Sequence, residues 1–159
     1  MATEDRLDKL EARLQAAEDQ LAIIRLLNTY GPAVDSGGSR EGAALWADDG
    51  VYDVGGMHRA KGHDNIAALY DAQGHQDLIH QGSAHLTATP RITLDGDDAE
   101  AVAYSFVVLR GDKGWNVWRA SANRWTLKRT ADGWRIVERY NRPLDGSEES
   151  HATLRHGAK

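Results

Sequence analysis

The second half of the chain limits its folds more tightly than any other feature. From Gly82 onward, strand-like segments alternate with short glycine-bearing turns. Residues 84–94, 99–109, 115–130 and 134–141 are separated by Asp95-Gly96-Asp97, Gly111-Asp112-Lys113-Gly114 and Ala131-Asp132-Gly133. Asp and Gly tolerate the positive φ of tight hairpins, so consecutive segments should pair antiparallel. Pro90 has no N–H to give a ladder, so it predicts a bulge or an edge position in the first segment.

The first half follows a helical period. Leu7, Leu10, Leu14, Ala17, Leu21 and Ile24 form a heptad-like stripe, with Glu4, Asp5, Glu11, Glu18 and Asp19 on the other face. That stripe suits packing on its own domain or a subunit contact. The apolar seam runs on through residues 23–35, where Gly31-Pro32 predicts a kink or restart. Ser36-Gly37-Gly38-Ser39 should stop the helix, and Ser39 is placed to cap a short one over 40–47. Asp48-Asp49-Gly50 reads as a turn, 51–54 and 57–61 as strands, 62–72 as a helix and 74–79 as a connection. Helices first and a strand meander afterwards indicate an α+β fold, with helices covering one face of a sheet.

A chain of 159 residues makes one domain, burying roughly 70% of its unfolded surface. We divide it into a helical extension (1–20), a main domain (21–143) and a polar tail (144–159) expected to be mobile. The net charge of -5 and the absence of a basic stripe argue against nucleic acid. No cysteine is present, which excludes disulfides, thiolate metal sites and a cysteine nucleophile. No apolar run is long enough for a membrane span, and the charged start has no signal-peptide core, so a cytoplasmic protein is expected. A phosphate-binding glycine loop is also missing.

Asp35 needs an explanation, because burying a lone carboxylate is costly unless it is paired. Paired with His80, it would fix the imidazole tautomer and raise the basicity of the other ring nitrogen, making a general base. Spacing alone leaves ordinary readings open: a solvent-facing Asp35 beside Ser36-Gly37, and a loop histidine. Tyr30, Asp53, His85 and Tyr104 are further ionisable candidates at element ends or on inner faces. Ser121 and Asn123 lie two apart, hence on one strand face, and offer a hydroxyl and an amide to a substrate. His80 and His85 lie five apart, which in an extended strand gives opposite faces; together with the spacings of His58, His63 and His75 this argues against a metal site. Trp115, Trp118, Trp125 and Trp134 suit cross-strand or subunit contacts.

With these residues in place, the order over 23–142 resembles the SnoaL-like branch of the nuclear transport factor 2-like superfamily. The segments RLLNTYGPAVD, ALWADDGVYDV, IHQGSAH, ITLDGDDAEAVAY and NRWTLKRTADGWRIVERY carry the resemblance. It implies a cone: N-terminal helices against a curved, mixed but mostly antiparallel sheet, enclosing a pocket. Val34-Asp35, Glu41-Gly42 and Ile79-His80-Gln81-Gly82 are similar to hexachlorocyclohexane dehydrochlorinases, and Ser121-Ala122-Asn123 to scytalone dehydratases. By that resemblance Asp35 and His80 are a catalytic dyad, and Ser121 and Asn123 position a small hydrophobic or polycyclic substrate; Tyr30, Asp53, His85 and Tyr104 are further expected substrate contacts. The implied activity is a cofactor-independent elimination. A more distant similarity to ketosteroid isomerases implies Asp53 as base with Tyr30 as oxyanion donor, and a non-catalytic binding module is a third reading. Self-association as a homodimer or homotrimer is expected, with no metal, nucleic-acid or membrane partner.

Overall fold

The structure, a computed structural model, describes residues 2–158, the side chain of Ala2 excepted. In chain order the elements are α1 (Ala2–Asp35), α2 (Ser39–Ala43), β1 (Trp46–Val54), β2 (His58–Lys61), α3 (His63–Asp71), α4 (Gln73–Gln81), β3 (Ser83–Thr87), β4 (Arg91–Asp95), β5 (Asp98–Gly111), β6 (Gly114–Thr130), β7 (Gly133–Pro143) and α5 (Glu148–Arg155). The strands form one open, curved sheet in the order β2-β1-β7-β6-β5-β3, with β4 also on β5. β1 runs parallel to β7 and every other pair is antiparallel, so the sheet is mixed. No described helix is long and apolar enough to cross a membrane.

α1 has two apolar faces. Ile23, Leu27, Tyr30 and Val34, spaced four, three and four apart, are buried against the sheet. Leu7, Leu10, Leu14 and Leu21 lie on the opposite face and are 47–65% exposed. Residues 3–15 are exposed throughout, so the first half of the helix extends past the sheet. Asp19 ties its midpoint down: Arg129 on β6 donates to both carboxylate oxygens at 2.6 Å, and Trp134 on β7 donates to one at 3.1 Å. The expected restart at Pro32 does not occur. Pro32 lies in the last turn, where it removes a single backbone bond, and the Ser36 N–H closes onto its carbonyl at 3.2 Å.

Other expectations shift in detail. The short helix ends at Ala43, and Trp46 opens β1 rather than closing α2. Asp48-Asp49-Gly50 is an irregularity inside β1, where the register with β7 shifts between Trp46 and Val51. Pro90 falls between β3 and β4, which share one edge of β5. The connection expected over 74–79 is helix α4, and the polar tail expected to be mobile carries helix α5. Ser147 caps α5 by accepting from the Ser150 N–H at 3.2 Å. Glu149 accepts from Tyr140 and Arg142 on β7, and Ser150 and Thr153 are buried.

Candidate active site

The inner face of the sheet, α1, α3 and α4 enclose a cavity of about 380 Å³. Tyr30 reaches it from α1, Tyr52 and Val54 from β1, Leu69 and Tyr70 from α3, His75 and Leu78 from α4, His85 from β3, and Trp118 and Arg119 from β6. The wall is thus mostly aromatic and apolar, with few polar groups, the usual make-up of a small-molecule site. Among the described residues, no group of acids and histidines could hold a metal ion.

Asp35 ends α1 beside β3, and three donors from that strand converge on it. Ser83 Oγ donates to Oδ1 at 2.7 Å, His85 Nδ1 to Oδ1 at 2.7 Å, and the His85 N–H to Oδ2 at 2.6 Å. Ser83 and His85 lie two apart, so the pleat turns both side chains to one face. Burial pushes the Asp35 carboxyl up, but the His85 and Ser83 hydrogen bonds outweigh it and hold the group below the usual carboxylate range. The group is therefore an ionised acceptor at neutral pH, and Nδ1 of His85 must carry the proton. Nε2 makes no hydrogen bond among the described residues, and it sits on a side chain that lines the cavity and is 8% exposed.

His75 is the second imidazole of the wall, with ring centroids 5.4 Å from those of His85. Its Nε2 faces the Val34 carbonyl at 3.2 Å, which can only accept, so its Nδ1 is unprotonated and free. Burial, chiefly, holds His75 below its ordinary pKa, and it is neutral at pH 7. Beneath the floor lies Arg139, 3% exposed and without a carboxylate partner among the described residues. Its Cζ sits 4.6 Å from the Tyr30 ring, 4.7 Å from Tyr52 and 5.5 Å from Trp125, and its Nε donates to Asn123 Oδ1 at 3.0 Å. Aromatic faces thus take the place of a counter-ion. Burial keeps the Tyr30 phenol well above its ordinary pKa, so it serves as a hydrogen-bond donor.

A model of the SnoaL-like domain matches residues 15–140. The chain belongs to the SnoaL-like domain family. No curated protein matches it. A solved nuclear transport factor 2-like protein with a cystatin-like fold, from Novosphingobium aromaticivorans, is 43% identical and superposes with a TM-score of 0.90 over 93% of this chain and 96% of its own. A second protein of that organism, named provisionally as an aromatic ring hydroxylase, is 26% identical with a TM-score of 0.63, covering 80% of this chain and 90% of its own. A Catenulispora acidiphila protein solved in complex with S-DNPA shares the fold at 23% identity and a TM-score of 0.62, over 82% of this chain and 94% of its own.

Within this SnoaL-like domain, the residues singled out from sequence divide sharply. Asp35, Tyr30 and His85 come together at the cavity. His80 does not: it lies in the last turn of α4, exposed, with no hydrogen bond among the described residues. Gly82, at φ +104°, then redirects the chain, so the imidazole that meets Asp35 is His85. Asp53 alternates with the cavity residues Tyr52 and Val54 and faces the other side of the sheet. There Arg142 grips both its oxygens at 2.8 and 3.2 Å. Burial pushes Asp53 up, but Arg142 outweighs this and holds its pKa down, which makes it a poor base. Arg142 also bonds Glu149, so the pair anchors α5.

Tyr104 is 46% exposed on the outer face. Asn123 is fully buried with its amide committed: Oδ1 accepts from Arg139 and Asn141, and Nδ2 donates to Ser105 Oγ at 2.8 Å. Its work is to hold Arg139, not substrate. Ser121 is buried on the same face without lining the cavity. Ser83, His75, Arg119 and Arg139 were not anticipated. The even spacing of Ser83 and His85 was a readable sign of a shared partner; nothing local marks the other three.

Proposed function

We propose that this protein is a cofactor-independent lyase of the elimination type, with His85 as general base oriented by Asp35. One observation carries the reading: the imidazole on the cavity wall has its Nδ1 proton committed to a saturated carboxylate and its Nε2 unclaimed. Nε2 takes the proton from a carbon beside an electron-withdrawing group. The C–H electron pair becomes the new double bond as the bond to a hydroxyl or similar group on the neighbouring carbon breaks, and the hydroxide leaves as water once it gains a proton. Asp35 offsets the charge on the imidazolium that forms. The Tyr30 and His85 rings lie 6.2 Å apart, centroid to centroid, and in this reading the Tyr30 hydroxyl donates to the oxygen on which charge develops. The cavity's aromatic walls suit a small hydrophobic or polycyclic substrate, and the family's polyketide cyclases, isomerases and dehydratases fit that class.

The test is a panel of β-hydroxy and β-halo aromatic ketones, with loss of water or halide followed by mass spectrometry. Wild type is expected to eliminate from at least one, and Asp35→Asn to be slower by about 10²-fold or more, because the amide no longer dictates the Nδ1–H tautomer. An inert wild type across the panel, or equal rates in Asp35→Asn, would end this reading.

Self-association goes with it. The exposed leucines of α1, Leu7, Leu10, Leu14 and Leu21, form one stripe, and Trp115 and Val117 stand 60% and 63% exposed at the end of the β5–β6 ribbon. Light scattering coupled to gel filtration is expected to give a dimer or trimer, with Leu10→Glu/Leu14→Glu shifting the mass towards monomer. A monomeric wild type at micromolar concentration would refute it.

A further inference from the structure

We infer that the substrate carries a carboxylate, and that Arg119 is its counter-ion on the cavity wall. The inference takes its reaction from the lyase reading, but its binding evidence is separate.

The first observation is a backbone irregularity. β5 and β6 pair regularly until Val107↔Arg119, and the next pair is Val108↔Val117, which leaves Trp118 as an extra residue. In a regular strand, neighbours point to opposite faces. At this bulge both Trp118 and Arg119 line the cavity. Arg119, two and four residues from the inward Ser121 and Asn123, keeps their face, and the bulge turns Trp118 in beside it.

The second observation is what Arg119 lacks. Among the described residues its guanidinium has no ion pair and no hydrogen bond; its contact is the Trp118 ring, 5.4 Å from Cζ. The chain's other anchored arginines are treated differently. Arg129 is shared by Asp19 and Asp97, and Arg142 by Asp53 and Glu149. Among the described residues, no Asp or Glu lines the cavity. Asp35, the acid that His85 bonds, already accepts from three donors.

Third, the wall is cationic inside a chain of net charge -5. Overall charge does nothing to attract an anion, so a local cation is needed to hold one. Arg119 faces His75 closely enough to help depress its pKa, although burial is the main cause. With Arg139 sealed below the floor, Arg119 is the arginine that lines the cavity among the described residues. A planar guanidinium matches a carboxylate in a two-point hydrogen-bonded fork. Such a handle, remote from the reacting carbon, would set the substrate's register against His85.

Calorimetric titration of the full chain with naphthoate and with its neutral isostere naphthamide tests this. Wild type is expected to bind naphthoate about tenfold or more tightly than naphthamide, as a charge-assisted pair implies. Arg119→Gln should erase the preference, and Arg119→Lys should keep part of it. His85→Ala should retain the full preference while losing turnover, so the binding claim and the lyase reading can fail separately. Equal binding of the two ligands by wild type, no naphthoate binding at millimolar concentration, or an undiminished preference in Arg119→Gln would each overturn the inference.

Discussion

Replacing His85 by alanine is expected to slow turnover by roughly 10²–10⁴-fold, the usual contribution of a positioned general base. His80→Ala should leave the rate within about twofold, since that side chain is exposed and bonded to nothing described. The comparison is clean because the fold should survive both changes. In His85→Ala, Asp35 keeps the Ser83 hydroxyl and the backbone N–H of residue 85, so the carboxylate is not orphaned. The stability cost should be about 1.5–3 kcal/mol, that of one lost hydrogen bond to a charged group. Initial rates on an accepted substrate, with circular dichroism as the control for folding, decide it. A variant at position 85 with near-wild-type rates would show that the base lies elsewhere.

Gly31→Ala is expected to be the most disruptive single methyl in the molecule. A Cβ at residue 31 would lie 1.9 Å from the His85 carbonyl oxygen and 3.1 Å from its carbon. Both obstacles are backbone, so no side chain can rotate away; α1 and β3 must separate. Alanine's better helix propensity returns about 1 kcal/mol, against an overpacking cost that starts at about 1–3 kcal/mol and should be exceeded here. A net loss of roughly 2–4 kcal/mol corresponds to a fall in Tm of about 5–15 °C for a domain of this size. Turnover should fall further than stability explains, because the displaced β3 carries Ser83 and His85 away from Asp35. Thermal melting and rates on the folded fraction measure the two effects. A variant melting with wild type and retaining full activity would show that the close approach of α1 to β3 is unimportant.

Both predictions turn on one contact, and it shows where sequence reasoning stopped. The Ile79-His80-Gln81-Gly82 phrase drew attention to His80, yet α4 continues through Gln81 and carries that imidazole outward. The rule that side chains five apart face opposite ways was sound for a strand, but His80 and His85 lie on different elements. The helix in the tail was missed for a related reason. An eight-residue helix is too short to persist alone, and α5 exists because Tyr140 and Arg142 bind Glu149 from the sheet. Asp53 looked like a base until its place in the strand put it opposite Tyr52, against Arg142.

The features legible in the chain were local ones. Glycine-bearing turns marked the hairpins, periodicity separated the helical first half from the strand-rich second, and an acid at the end of an apolar helix demanded a partner. Only the tertiary structure chose that partner. Asp35 and His85 stand 50 residues apart, and they meet because a glycine lets α1 press against β3 and a two-residue repeat turns Ser83 and His85 to the same face. Local propensities act over a turn or a hairpin. A carboxylate's choice among histidines depends on how whole elements pack, and no short stretch of chain encodes that.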